Sequence, residues 1–265
     1  MVNFFNNKSE DKIIEKERYD ARALSIIKND MLESSVVGSK SIPLPLRSPY
    51  MLYEKKIKEL IEPTFDVLEI GSGVGLHTFS LIKTCANIMA TDISPNSLQV
   101  LEKKLLNVEG EVRLKTMVAD MELLPFENGS FDVVTSAGSL SYGDAKKVDC
   151  EIRRVLKPNG LFICIDSLNH NPIYKFNRYI RFLQGARSKM TLLNMPTIQR
   201  INFLTKRYKK FDVKYFGSIS FMMPILSKEI PVSLNNFFVA GTGPYPIVLG
   251  LTPAAAIPTI LAAGS

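Results

Sequence analysis

Glu69-Ile-Gly71-Ser72-Gly73-Val-Gly75 sets a carboxylate just ahead of three glycines at alternate positions. Glycine lets a chain turn tightly and bring its backbone against a ligand. Amides that open a helix then face polar or anionic groups. Read as a dinucleotide fingerprint, the loop departs at its sixth position, which is Leu76 rather than glycine or alanine. Asp92 closes the apolar run Asn87-Ile-Met-Ala-Thr-Asp92. A carboxylate at such a strand end accepts both hydroxyls of a ribose, which suits a dinucleotide or another adenosine cofactor.

These residues need a scaffold, and the pattern supplies one. Asp66-Val-Leu-Glu-Ile70 is a short apolar run ending at the glycines and reads as a buried strand. Leu76, Phe79 and Ile82 follow at helical spacing, then the strand ending at Asp92. Ser94-Pro95 is an N-cap with proline at the first helical position. Val112–Val118, Phe131–Ser136 and Leu161–Asp166 read as further strands, and Asp144 caps a helix with Val148, Ile152, Val155 and Leu156 on one face. Strands alternating with helices at this spacing predict an α/β fold with a doubly wound, mainly parallel sheet. Residues 1–62 read as a polar helical extension broken by a proline-rich loop, Ser41–Tyr50, and residues 63–167 as the core. Residues 168–210 read as a basic helical cap, with one helix from Pro172 to Gly185 and another from Pro196 to Tyr208. Residues 211–240 read as closing strands, over Phe211–Met223 and Asn236–Ala240, and 241–265 as an uncharged apolar tail.

Glu69-x-Gly-x-Gly-x-Gly75, Asp92, Ala119-Asp120-Met121, Leu124-Pro-Phe126, Phe131-Asp-Val-Val134 and Arg154-Val-Leu-Lys-Pro-Asn-Gly160 stand in order along one segment. Together they closely resemble class I S-adenosylmethionine-dependent methyltransferases, in particular the branch that includes the ubiquinone/menaquinone-biosynthesis enzymes. The resemblance covers about residues 62–166 and implies a Rossmann-like methyltransferase fold with S-adenosyl-L-methionine as cofactor. It implies that Glu69 orients the methionine ammonium and that Gly71, Ser72, Gly73 and Gly75 form the cradle. Asp92 would hold the ribose and Ile93 would pack on the adenine. Asp120 would accept from the adenine amino group beside the amide of Met121, and Ser136 and Ala137 would contact the methionine end. A looser resemblance, carried by Ser136–Asp144 and Asp166–Tyr174, is to methyltransferases of bacterial surface-polysaccharide gene clusters.

Methyl transfer requires in-line alignment and exclusion of water rather than a covalent intermediate. An oxygen nucleophile also needs a proton acceptor within hydrogen-bond reach. The candidate catalytic residues are His170, which follows the fifth strand at the ligand-binding edge, then Asp166 and Tyr142. His77, in the first turn after the glycines, could touch a ligand but reads more readily as a packing residue.

The chain carries a formal net charge of +7, and the excess is concentrated. From Lys175 to Lys210 there are ten basic residues and no acidic one, interleaved with aromatics. Lys175, Arg178 and Arg181 share one flank of a helix whose apolar face is Ile173, Phe176, Ile180 and Leu183. With Tyr50 they are the expected substrate-binding residues, as a lid gathering an anionic acceptor or resting peripherally on an anionic membrane. No nucleic-acid-binding module accompanies the charge. Residues 230–265 carry no charge, and Ile247–Gly264 is apolar enough to suggest a membrane span, although Pro253 and Pro258 interrupt it.

Cys85, Cys150 and Cys164 lie far apart and the only histidines are His77 and His170, which excludes a zinc finger, an iron–sulfur site and a disulfide scaffold, and predicts no metal. A reducing, cytoplasmic setting and the lack of a signal peptide in the polar Met1–Lys16 follow as expectations. The sequence therefore predicts methyl transfer to a small-molecule acceptor, oxygen being favoured, on an anionic sugar-linked, lipid-linked or natural-product compound. The rivals are a methyltransferase-like protein that binds without catalysis and a nicotinamide-dependent oxidoreductase.

Overall fold

The computed structural model describes residues 8–29, 38, 44–168, 172–185, 187–216, 245–251 and 259–261. Two helices, α1 (Lys8–Lys28) and α2 (Leu44–Leu60), precede the first strand. The core then alternates β1 (Asp66–Ile70), α3 (Thr78–Ile82), β2 (Asn87–Asp92), α4 (Pro95–Leu105), β3 (Leu114–Val118), β4 (Phe131–Ala137), α5 (Ala145–Val155) and β5 (Leu156–Ile165). All four pairings along β3-β2-β1-β4-β5 are parallel. The chain order reverses beside β1, between β2 and β4. This is the switch point where the carboxyl ends of strands leave a crevice for a ligand.

The strands form where sterically stiff apolar residues repeat. Val67, Leu68, Val133, Val134, Ile163 and Ile165 are fully buried, and each such side chain contributes about 1.5–3 kcal/mol. One face of the sheet packs against α5 through Val148, Ile152 and Val155, and the other against α2 through Tyr53 and Ile57. Helix α4 starts as its sequence dictates: the Ser94 hydroxyl accepts from the Ser97 amide at 3.0 Å. Asp144 caps α5 by accepting from the amides of Lys146 and Lys147.

The fold departs from the sequence reading in three places. The expected loop Ser41–Tyr50 is helical from Leu44 onward. Pro45 sits in the first turn, where its missing N–H has no partner to lose, so Pro49 alone costs α2 an internal hydrogen bond. The cap, α6 (Pro172–Leu183), α7 (Lys189–Leu193) and α8 (Ile198–Thr205), contains one more helix than expected. The expected strand from Phe211 is β6 (Lys210–Phe216), while Asn236–Ala240 lies outside the described residues. The next strand among the described residues is β7 (Tyr245–Leu251), inside the uncharged tail, antiparallel between β5 and β6; β8 (Thr259–Leu261) pairs with β7. Tyr245-Pro-Ile-Val-Leu-Gly-Leu251 is uncharged for the reason a central strand is: it has neighbours on both sides. No helix among the described residues is long and apolar enough to cross a membrane.

Candidate active site

Glu69 lies in β1 and its side chain is buried. The Thr78 hydroxyl, at the start of α3, donates to Glu69 Oε2 at 2.6 Å. Burial, with the nearby Asp92 charge adding to it, raises the Glu69 carboxyl to about 7. The glycines after it do different jobs. All three have positive φ, which other residues adopt only under strain. A side chain on Gly71 would strike Ser139, and one on Gly75 would strike Leu101 of α4. Gly73 faces open space within the cavity wall, and its amide donates to Asp92 Oδ2 at 2.8 Å. Gly75 does not line the cavity: its part in the expected cradle is to let the loop pack on α4.

Asp92 is fixed at the end of β2, with Oδ2 on the Gly73 amide and Oδ1 accepting from the Ser94 amide at 2.9 Å. Burial holds its pKa above the usual carboxylate value against these amides. The Ile93 amide also bonds it, which leaves part of its acceptor capacity for a hydroxyl donor. Ile93, Asp120 and Met121 continue the same wall. Asp120 Oδ1 accepts from the Glu122 amide, and Oδ2 pairs with Lys12 at 2.5 Å.

Beyond β4, Ala137, Gly138, Ser139 and Tyr142 also line the cavity, together with Tyr50 and His77. Ser136 does not reach it. Its hydroxyl is buried against Ser139 Oγ at 2.6 Å, so it shapes the loop rather than meeting a ligand. The His77 ring stacks on Tyr50 with centroids 4.9 Å apart and sets Nδ1 3.3 Å from Glu54 Oε1. It therefore both packs and lines the cavity.

Asp166 is corrected as a candidate proton acceptor. It lies outside the cavity, 3% exposed, and its oxygens accept from the amides of Leu140 and Ser167. Burial raises its pKa, and it lines a separate small cavity with Leu140, Cys164 and Arg200. His170 lies outside the described residues. The expected cationic flank is also corrected. Arg178 is 7% exposed and points inward, donating to the Thr191 carbonyl and toward Ser167 Oγ. Phe176 and Leu183, expected on the adjacent apolar face, are exposed instead. Arg181 is exposed and does not line the cavity, and the Lys175 side chain lies outside the described residues.

The cover that sequence reasoning placed on α6 is α1. Lys12, Glu15, Tyr19 and Arg22 line the cavity; their spacing of three, four and three residues is one helical stripe. Asp20 anchors α1 to the start of α4 by accepting from Ser94 Oγ at 2.6 Å and from the Asn96 amide at 3.3 Å. Asp11 and Glu15 accept from the amides of Met190 and Ser188. The signal was present as a stripe of mixed charge with one tyrosine, a pattern that also describes a solvated face.

The cavity fits an adenosyl amino acid. A buried carboxylate at Glu69 suits an ammonium, Asp92 suits vicinal hydroxyls, and Gly73 leaves the room a side chain would fill. Ser72 Oγ, in the same wall, is buried with no hydrogen-bond partner among the described residues. Among these residues no group of three or more His, Cys, Asp or Glu side chains could hold a metal.

Comparison with known proteins agrees. Residues 68–164 match the family model of a methyltransferase domain. The chain is 36% identical over 112 residues to the sterol 4-C-methyltransferase strm-1 of Caenorhabditis elegans, covering 42% of this chain and 34% of that protein. It is 36% identical over 114 residues to the demethylmenaquinone methyltransferase of Lactococcus lactis, covering 41% and 45%. The matches thus span less than half the length of these relatives. Among solved structures, a methyltransferase in complex with the Haloferax volcanii Trm112 activator superposes with a TM-score of 0.61 at 17% identity, covering 89% of this chain and 97% of that one. The Haemonchus contortus phosphoethanolamine N-methyltransferase 2, with phosphomonomethylethanolamine and S-adenosylhomocysteine, gives 0.56 at 17% identity, covering 76% and 52%. The fold is the one these solved methyltransferases share, and residues 68–164 are similar to a methyltransferase domain.

Proposed function

We propose that the protein transfers a methyl group from S-adenosylmethionine to a small, anionic acceptor held under α1, with oxygen as the receiving atom. The observation that carries the reading is one cavity lined together by Glu69, Gly71, Gly73, Asp92 and Asp120. The cofactor supplies an electrophilic methyl on its sulfonium. The chain's part is positional: Glu69 pairs an ammonium, Asp92 accepts ribose hydroxyls, and Asp120 accepts an amino proton. Helix α1 excludes water from above, which strengthens every polar contact within. For an oxygen nucleophile the proton acceptor supported by position is His77: Nε2 is buried without a hydrogen-bond partner among the described residues, and Glu54 steadies Nδ1. In this reading 1–62 and 168–210 are accessory to a core at 63–167. Peripheral membrane contact is supported by Phe176, Tyr179 and Leu183, exposed beside Arg181 on α6.

Calorimetric titration of the full chain tests the reading. S-adenosylhomocysteine should bind and NAD should not. Asp92→Ala should weaken binding at least about tenfold, because a hydrogen bond to a charged group is worth about 1.5–3 kcal/mol. Unchanged affinity in that variant removes the assignment. Turnover in His77→Ala should fall by about 10²–10⁴.

A further inference from the structure

Two guanidinium groups meet at Tyr142, a residue of the cavity wall, without lining the cavity themselves. Arg18, on α1, stacks over the Tyr19 ring at 4.6 Å and lies 6.0 Å from the Tyr142 ring. Arg187, from the turn before α7, lies 6.0 Å from the same Tyr142 ring and donates from Nη1 to the Tyr142 hydroxyl at 2.5 Å. The two cations are near enough to repel each other. Among the described residues Glu15 is the carboxylate paired with the cluster: it contacts Arg18, and its other oxygen accepts from the Ser188 amide. Arg18 Nε is buried with no hydrogen-bond partner among the described residues. Half-buried like charges held together with incomplete neutralisation are costly unless an anion joins them.

Tyr142 is the link from this charge to the cavity. Its oxygen receives the Arg187 N–H and the Tyr19 O–H, the latter at 2.8 Å. A phenol oxygen with two incoming donors keeps its own proton to give. Both Tyr19 and Tyr142 line the cavity. Tyr142 is thus an oriented donor backed by two cations, an arrangement that favours an oxygen carrying negative charge.

We infer that Tyr142, Arg187 and Arg18 form the subsite for an oxyanionic group of the acceptor, a carboxylate or a phosphate ester. The inference rests on the methyl-transfer reading for which molecule enters, but the subsite itself is defined by these side chains. It moves the recognition of acceptor charge from α6 to the junction of α1 with the turn before α7.

The full chain saturated with S-adenosylhomocysteine should be titrated with phenyl phosphate, benzoate and benzyl alcohol by ligand-observed NMR. At least one of the two anions should bind about tenfold or more tightly than the neutral alcohol, and which one does so identifies the group. Arg187→Gln should remove that preference and Tyr142→Phe should reduce it severalfold, while S-adenosylhomocysteine affinity stays within about twofold. Arg187→Lys, which keeps charge without the planar fork, should fall between parent and Arg187→Gln. Equal binding of anion and alcohol by the parent, or an unaltered preference in both Arg187→Gln and Tyr142→Phe, overturns the subsite. Failure of the parent to bind S-adenosylhomocysteine overturns the methyl-transfer reading instead, so the two failures are separable.

Discussion

The ammonium of Lys12 and the carboxylate of Asp120 meet at 2.5 Å although 108 residues separate them. The same ammonium lies 3.0 Å from Glu122 Oε2. Helix α1 is therefore latched onto the loop that carries Asp120, and a ligand reaching Asp120 shares it with Lys12. Lys12→Met should loosen the latch. Half-exposed ion pairs are worth about 0.2–1 kcal/mol, so dissociation of S-adenosylhomocysteine should accelerate up to about fivefold in stopped-flow measurements. An unchanged dissociation rate means that α1 is not the cover that holds the cofactor.

Glu69 makes a pH prediction. Its carboxyl is raised from 4.5 to about 7, first by burial. A raised carboxyl binds more protons folded than unfolded, so the ligand-free protein loses stability as pH climbs through that window. Glu69→Gln lacks this slope, and its thermal midpoint should gain on the parent's from about pH 4.5 to about 7. Ligand binding runs the other way. An ammonium prefers the ionised carboxylate, so S-adenosylhomocysteine affinity should rise with pH, by at most about tenfold per unit, and level off above about 7. A flat affinity profile across that window separates Glu69 from the ammonium.

Much of the core was legible because one physical rule governs it. β1 and β2 lie where the apolar runs Asp66–Ile70 and Asn87–Asp92 are, and Ser94 and Asp144 cap the helices that follow them. Glu69 and Asp92 follow from the strand ends they occupy, which are fixed once the strands are. The cover was not legible, because Lys12, Tyr19 and Arg22 gain meaning only from residues far along the chain. Arg178 misled for the same reason. Its charge suggested solvent, yet the Thr191 carbonyl, Ser167 and the charge of Asp166 make an interior that accepts it. β7 was hidden by the opposite error, since a run without charges suits a lipid-facing segment and a central strand alike.

The cap is fastened by a buried pair. Arg200 Nη2 on α8 lies 2.7 Å from Asp149 Oδ1 on α5, with side chains 10% and 5% exposed. Arg200→Met strands a buried carboxylate and should cost about 3–5 kcal/mol in denaturant unfolding. Adding Asp149→Leu should return most of that loss, because the penalty belongs to the unpaired charge. A single variant with parent-like stability would show that solvent reaches Asp149.

Arg178 and Arg181 are three residues apart on α6 and should behave as opposites. Arg178 is enclosed, donates to the Thr191 carbonyl at 3.2 Å and faces the buried Asp166. Arg178→Gln removes that cation and leaves Asp166 less compensated, at a cost of about 1–3 kcal/mol. For a chain of this size that is a fall in melting temperature of about 2–4 °C for each kcal/mol. Arg181 is exposed and outside the cavity wall, and surface changes of this kind stay within about 0.5 kcal/mol. Arg181→Gln should therefore keep the parent's melting temperature, acceptor KM and salt dependence, the last being set by the charges that face the cavity. If Arg181→Gln alone raises KM at low salt and not at high salt, the flank of α6 steers the acceptor by long-range attraction, and the cationic gathering surface extends beyond α1.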